Sequence, residues 1–297
     1  MSDQDWTRVP GQPLVTVAMP IYNAGKYLRL AVLSIVRQTF SDWELLIIDD
    51  GSTDDALKSI ADIDDVRIRV LCDGNNKGLA ARLNECIDLA RGRYLARMDQ
   101  DDVSYPERFA TQIRALQNDA TLDLVGVRSI TISGDNLFTG CLPYAFRETL
   151  TTKPWRGIYL PHPTWMGRIE WFRKHRYAEP APYFCEDQEL LLRSYADSRF
   201  DLIDQILFAY RVRDTVNWRK LMKTRSAVLQ MQWRHFMGHR QFIHAFLALL
   251  TFFGRGLLDI SRFAFPRAIS RDNHGSVEIS KKWDETLTRL LEGGRTI

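Results

Sequence analysis

Three apolar runs, each broken by a polar cluster, constrain what this chain can fold into. Residues 14–19 end at Pro20, residues 44–48 run into Asp49-Asp50-Gly51-Ser52, and residues 93–98 break at Asp99. Between them, 25–38 carries Leu28, Ala31, Val32, Ile35 and Val36 at helical spacing, and 79–90 is helical too. Residues 53–60 also read as a helix, with Asp54 and Asp55 near its positive end. Residues 67–71 alternate charged and branched apolar side chains. Strand and helix in this alternation predict βαβ crossovers and a mostly parallel sheet covered on both faces. Ligands of such sheets sit outside the carboxyl ends of the strands. The polar clusters 20–23, 49–53 and 99–102 are therefore expected along one edge.

Composition narrows the class. With 45% hydrophobic and 26% charged residues among 297, the chain buries a core and is not disordered. A net charge of only +3 gives no footprint for nucleic acid. Cys72, Cys86, Cys141 and Cys185 show no CxxC or CxxH spacing, which argues against a disulfide framework or structural zinc and fits a reducing, cytoplasmic setting. Residues 1–9 lack the basic start and apolar core of a signal peptide. No run of ~20 apolar residues predicts a membrane span.

Asp99-Gln100-Asp101-Asp102 follows a strand directly. Clustered acids repel, and a divalent cation with oxygen ligands relieves that repulsion and can neutralise a diphosphate leaving group. An Asp-rich turn ahead of Pro106 is the alternative. Asp49–Thr53 reads either as a turn with an N-cap or as an acceptor for a nucleotide, with Gly51 permitting the tight turn. Tyr22 is a stacking candidate or simply a packed loop aromatic. Residues 122–133 read as one long strand or a strand pair, and 134–163 as a loop-rich stretch. Helical spacing resumes at 186–195, opened by Glu186-Asp187, which either favour the helix dipole or serve as a base.

Taken together these motifs resemble the family 2 inverting glycosyltransferases. The resemblance runs through Met19-Pro20-Ile21-Tyr22-Asn23, Ser34-Ile35-Val36-Arg37-Gln38-Thr39-Phe40, and 43–54. It continues through Asn76-Lys77-Gly78, 79–84, Ala90-Arg91-Gly92-Arg93-Tyr94 and Asp99-Gln100-Asp101-Asp102, covering about 14–215. It implies a GT-A nucleotide-diphospho-sugar transferase fold over 1–215, with a donor half at 14–103 and an acceptor half at 104–215. A helical C-terminal extension over 216–297 would follow. It further implies that Pro20, Tyr22 and Asn23 border the base, that Asp50 accepts from it, and that Arg82 lies near the donor phosphates. Asp99 and Asp101 would form the DxD pair, with Asp101 contacting Mn²⁺ or Mg²⁺, and Asp187 would be the catalytic base. His162 and Glu186 would border the acceptor. Where relatives show Tyr-Arg-x-His, this chain has Tyr210-Arg211-Val212-Arg213, so Arg211 or Arg213 would contact the diphosphate instead. A UDP-sugar donor and a saccharide or lipid-linked saccharide acceptor in polysaccharide assembly follow as expectations. A nucleotidyltransferase is disfavoured because no Gly-rich basic loop follows the first strand, and a non-catalytic glycan-binding module because the acids are all present.

Residues 211–270 carry a net charge of +9, hidden by the near-neutral total. Phe242, Phe246, Leu250 and their neighbours cover much of a helix circumference, flanked by Arg234, Arg240, Arg255 and Arg262. That pattern fits an interfacial helix on the anionic inner face of the cell membrane, or one packed on the catalytic domain or on a second copy in a homo-oligomer.

Overall fold

A computed structural model describes residues 11–145, 150–212, 218–264 and 273–292. Residues 1–9, Arg213 and the side chain of Arg262 lie outside the described residues. Strands β1 (Val15–Ile21), β2 (Trp43–Asp49), β3 (Ile68–Cys72) and β4 (Tyr94–Arg97) are parallel, in the order β3-β2-β1-β4. β1 and β2 are buried at every position because both of their faces are covered. Val17, Met19, Leu45 and Ile47 face one core while Ala18, Leu46 and Ile48 face the other, the alternation a pleated strand imposes.

Helix α1 (Leu28–Val36) and helix α3 (Arg108–Asn118) cover the first face, whereas α2 (Leu79–Leu89), α4 (Ile169–Lys174) and α5 (Glu186–Ser194) cover the second. Beyond β4 the sheet becomes mixed. β8 (Met166–Arg168) runs antiparallel to β4 and to β6 (Leu124–Ile132), which pairs parallel with β9 (Phe200–Arg211). β5 (Val103–Ser104) closes this side against β9, and β7 (Phe138–Cys141) forms a hairpin with β6 inside the expected loop region. Residues 122–133 thus make one strand rather than a pair. Expected helix 53–60 is a short 3-10 turn, Ala56–Ile60, because the Asp54 carboxylate accepts from Gly25 N and Ala56 N and pins the chain before a full helix can start.

Registers bring the polar clusters to one edge: Ile21 pairs with Asp49, Asp49 with Cys72, and Ala18 with Arg97, two residues short of Asp99. Gln38 locks that edge from behind. Its amide donates to Ser34 O, Ser104 Oγ and Tyr105 O and accepts from Phe109 N, so a buried polar group joins α1, β5 and α3 without an unpaired atom.

Helices α6 (Trp218–Gly238) and α7 (Phe242–Ala264) pack on each other and on the second face through a small cluster of Leu192, Phe236, Ala245 and Ala248. Helix α8 (Asn273–Glu292) returns to the main core, where Trp283 is fully buried and its Nε1 donates to Asn136 O at 2.7 Å. Helix α8 thus contributes Trp283 and Leu290 to the first core.

Gly92 marks where α2 turns into β4. Its N–H donates to Thr16 Oγ1, and a Cβ there would lie 2.4 Å from Thr16 N on the central strand. Gly92→Ala should cost ~1–3 kcal/mol, as overpacking against backbone does; an unchanged urea midpoint would remove that contact from the account.

Candidate active site

A cleft of about 760 Å³ opens along the carboxyl edge of β1, β2 and β4. Asp50, Asp99, Asp101, His162, Glu186 and Asp187 all line it, as do Pro20, Tyr22, Arg82 and Arg211. The strand ends, the 161–164 turn and the start of α5 thus contribute to one cavity, although up to 137 residues separate Asp50 from Asp187 in sequence.

Asp50 is nearly fully buried. Its Oδ1 accepts from Lys77 N at 2.7 Å and Arg82 Nε at 2.8 Å, and its Oδ2 accepts from Gly78 N at 3.0 Å. Gly51 has φ +77°, and a Cβ there would meet the Asn75–Asn76 peptide at 3.1 Å, so only glycine lets this loop close over Asp50. Arg82, expected near the donor phosphates, lines the cleft. It is 1% exposed, and its five N–H groups are spent on Asp50, Asp73, Glu85 and Asn75 O. It shapes the cleft wall by holding Asp50. Asp73, bonded to Arg82 and Lys77, is driven far below the ordinary carboxylate range.

Asn23 also departs from expectation: it is not among the residues lining the cleft. With φ +48°, it donates from its N to Ser52 Oγ and accepts at Oδ1 from Thr53 N, lacing two edge loops together. Tyr22 is half exposed, and Gln100 fixes its backbone by accepting from Tyr22 N and donating to Tyr22 O. The loops after β1 and β4 are thereby coupled through one amide.

Asp99 pairs with Arg97 Nη2 at 2.7 Å. Asp102 is buried beneath the loop; its Oδ1 accepts from Arg211 N at 2.7 Å while Oδ2 has no hydrogen-bond partner. Burial, then the charges of Asp99 and Asp101, push the Asp102 carboxyl well above its ordinary value. Arg211 lines the cleft too. Its Nε donates to Asp101 O, Nη1 to Ser133 O and Nη2 to Asn136 Oδ1, and its guanidinium lies 4.4 Å from the centre of the Tyr27 ring. These bonds clamp the acidic loop from below.

Among the described residues no group of three or more His, Cys, Asp or Glu is brought together as a metal cage. The acidic loop offers oxygen ligands only, and burial, with the charges of Asp99 and Asp101 added, raises Asp102 beneath it. That donor set fits Mg²⁺ or Mn²⁺ held by one or two carboxylates, with substrate phosphate oxygens and water completing the shell.

On the opposite wall, Glu186 and Asp187 occupy the first turn of α5. Burial raises both carboxyls. Asp187 accepts weakly from Gln188 Nε2 at 3.4 Å, and Gln188 is itself tied to Ile158 N and O, which fixes the start of the helix. His162 sits behind, its Nε2 2.7 Å from Tyr177 Oη and its ring edge-on to Trp165. Burial, then nearby Arg97, hold it neutral, well below the usual histidine range.

Sequence reasoning missed Arg97. It is 4% exposed, lines the cleft, and has Nε and Nη1 without hydrogen-bond partners. Burial opposes its charge, but Asp99, then Tyr177 and Glu186, more than offset this. Its one sequence signal is a cation at the end of the apolar strand Tyr94–Arg97. Lys220 was missed as well: it reaches the cleft from α6 and lies 4.0 Å from the centre of the Phe184 ring.

The fold is GT-A-like, with acids at the carboxyl edge of its sheet and a second acid pair lining the same cleft. The sequence model of the family described as Glycosyl transferase family 2 matches residues 16–176, and the chain belongs to that family. It is 28% identical over 263 residues to the uncharacterized glycosyltransferase MJ1057 of Methanocaldococcus jannaschii, covering 81% of this chain and 87% of that one. It is 35% identical over 100 residues to the UDP-Glc:alpha-D-GlcNAc-diphosphoundecaprenol beta-1,3-glucosyltransferase WfgD of Escherichia coli, a match spanning 34% of this chain and 40% of WfgD. In fold it is similar to the mannosyltransferase PcManGT of Pyrobaculum calidifontis, solved with GDP-Man and Mn²⁺. That likeness has a TM-score of 0.55 at 14% identity, over 99% of this chain and 92% of that one.

Neutral, buried His162 makes stability depend on pH. The unfolded chain protonates this histidine below about pH 6.5 while the folded one does not, so the unfolded state binds more protons and stability falls as pH drops below that value. His162→Gln should flatten the urea midpoint between about pH 6.5 and 5 relative to wild type; a parallel decline in both would show that His162 takes up its proton without resistance.

Proposed function

We propose that the chain transfers a sugar with inversion from a nucleotide-diphospho-sugar, UDP-sugar favoured, to a hydroxyl of a saccharide acceptor carried on a lipid diphosphate, in surface-polysaccharide assembly. The observation that carries this is the convergence of Asp50, Asp99, Asp101 and Asp187 on one cleft. Pro20 and Tyr22 border the base, and Asp50, held by Arg82, presents its remaining lone pairs towards it. Asp99 and Asp101 would hold Mn²⁺ or Mg²⁺, which when bound neutralises the charge of the departing nucleoside diphosphate. Asp187 takes the proton of the attacking hydroxyl on the face of the sugar opposite the leaving group, so one base suffices and no covalent intermediate is needed. His162 and Glu186 border the acceptor. The naming of WfgD as an enzyme acting on a diphosphoundecaprenol-linked sugar supports the lipid-linked acceptor, and the Mn²⁺ with PcManGT supports the cation.

Because burial raises Asp187, the acid limb of the transfer rate should lie above the ordinary range of an aspartate. In an assay of donor hydrolysis and transfer across UDP-, GDP- and dTDP-sugars, Asp187→Asn should retain donor binding and lose transfer by ~10²-fold or more. Asp101→Ala should lose metal-dependent donor binding. Full transfer by D187N would remove Asp187 as base.

Peripheral attachment to an anionic membrane is part of this proposal. Phe242, Ile243, Phe246, Leu250, Phe253 and Leu257 are all more than half exposed along α7, with Arg234, Arg240 and Arg255 exposed nearby. No helix among the described residues is long and apolar enough to cross a membrane. An apolar face with cationic flanks binds anionic lipid by burial and by charge together. In flotation at low salt, the protein should rise with anionic vesicles and not with zwitterionic ones, and Phe246→Glu should abolish this. Protein left at the bottom with both would exclude a membrane-facing α7.

A further inference from the structure

A second concavity of about 840 Å³ lies beside the cleft, between α6 and α7. Its floor is Met222, Ala227, Leu229 and Trp233 of α6 with Leu249 of α7, and Tyr183 closes its near end. These α6 residues recur near helical spacing, so the groove follows the helix for roughly 16 Å at 1.5 Å per residue. The two cavities meet at one dipeptide: Tyr183 lines the groove and Phe184 the cleft, their rings 4.4 Å apart edge to face. Cations mark the same junction. Lys220 lines the cleft, and Lys223, one turn further along α6, lines the groove. At its far side, Leu249 adjoins Leu250 on the exposed apolar face of α7.

The geometry points to this groove as the seat of the hydrocarbon chain of a lipid diphosphate-linked acceptor, with Lys223 at its mouth facing the diphosphate. This deepens the proposed function and rests on its lipid-linked acceptor. A tail lying along α6 would put the diphosphate at Lys220 and Lys223 and the attached saccharide in the cleft opposite Asp187, while its free end leaves towards the lipid beneath α7. Charge selects the head and apolar burial the tail, so one helix reads both ends of the junction.

The test uses butyl, octyl and dodecyl diphosphate, sugar-free and below their micelle concentrations, in equilibrium dialysis against the full chain. Affinity should rise with chain length by up to about fourfold per methylene until the groove is filled. Ala227→Glu, which places a charge on the groove floor, should flatten that rise. Lys223→Glu should weaken every chain by a common factor of about ten while leaving the rise intact. Met222→Glu, which also places a charge on the groove floor, carries the same test should A227E fail to fold. Affinity independent of chain length, an A227E slope equal to wild type, or a dimer covering the groove that no alkyl diphosphate dissociates would each overturn the assignment. Metal-dependent UDP-sugar hydrolysis on the same preparation separates the two proposals. Chain-length dependence without hydrolysis keeps the groove and removes the transferase, whereas hydrolysis without chain-length dependence removes the groove alone.

Discussion

Acids gathered at one sheet edge repel each other, and the fold answers by burying guanidinium groups behind them. Arg82 stands behind Asp50, Asp73 and Glu85; Arg97 stands behind Asp99; Arg211 lies beneath Asp101 and Asp102. Each is nearly inaccessible, so its attraction works at low dielectric and is scarcely screened by salt. For the one pair here buried on both sides, Arg82 with Asp50, removing one partner costs ~3–5 kcal/mol because the other charge is stranded. Arg82 spends all five of its donors on protein acceptors. Asp102 is the acid the scheme leaves incompletely paired, and its Oδ2 stays without a hydrogen bond.

How much of this was legible follows from which signals are local. β1, β2 and β4 announce themselves as apolar runs because both of their faces are buried, and the acids that follow them are read from the same few residues. β5 and β8 span two and three residues, too short for any period to register, and they exist because β9, β4 and β6 supply the pairing. The 53–60 stretch looked helical by composition, but Asp54 is held by Gly25 N across the loop, a tertiary bond no local window contains. That Arg82 and Arg211 bond neighbouring acids and carbonyls was not legible, because a residue type names a charge and not the acceptors that consume it. Arg97 hid for the converse reason: one cation closing an apolar strand resembles an ordinary strand end until its burial is seen.

The two walls of the cleft are built differently. Around Asp50, the residues Asp50, Gly51, Asn75, Gly78 and Arg82 fall within about thirty residues and are bonded to one another's side chains and backbone. Across the cleft, His162, Glu186, Asp187 and Lys220 come from separate turns and helices, held by contacts such as His162 to Tyr177 and the Gln188 side chain to the Ile158 backbone. The first wall is fixed within one short stretch of chain, whereas the second depends on how distant elements pack. That division explains why the motifs that disclose the chain's family crowd into its first hundred residues: contacts made within a short stretch leave a local sequence record, and contacts between distant elements do not.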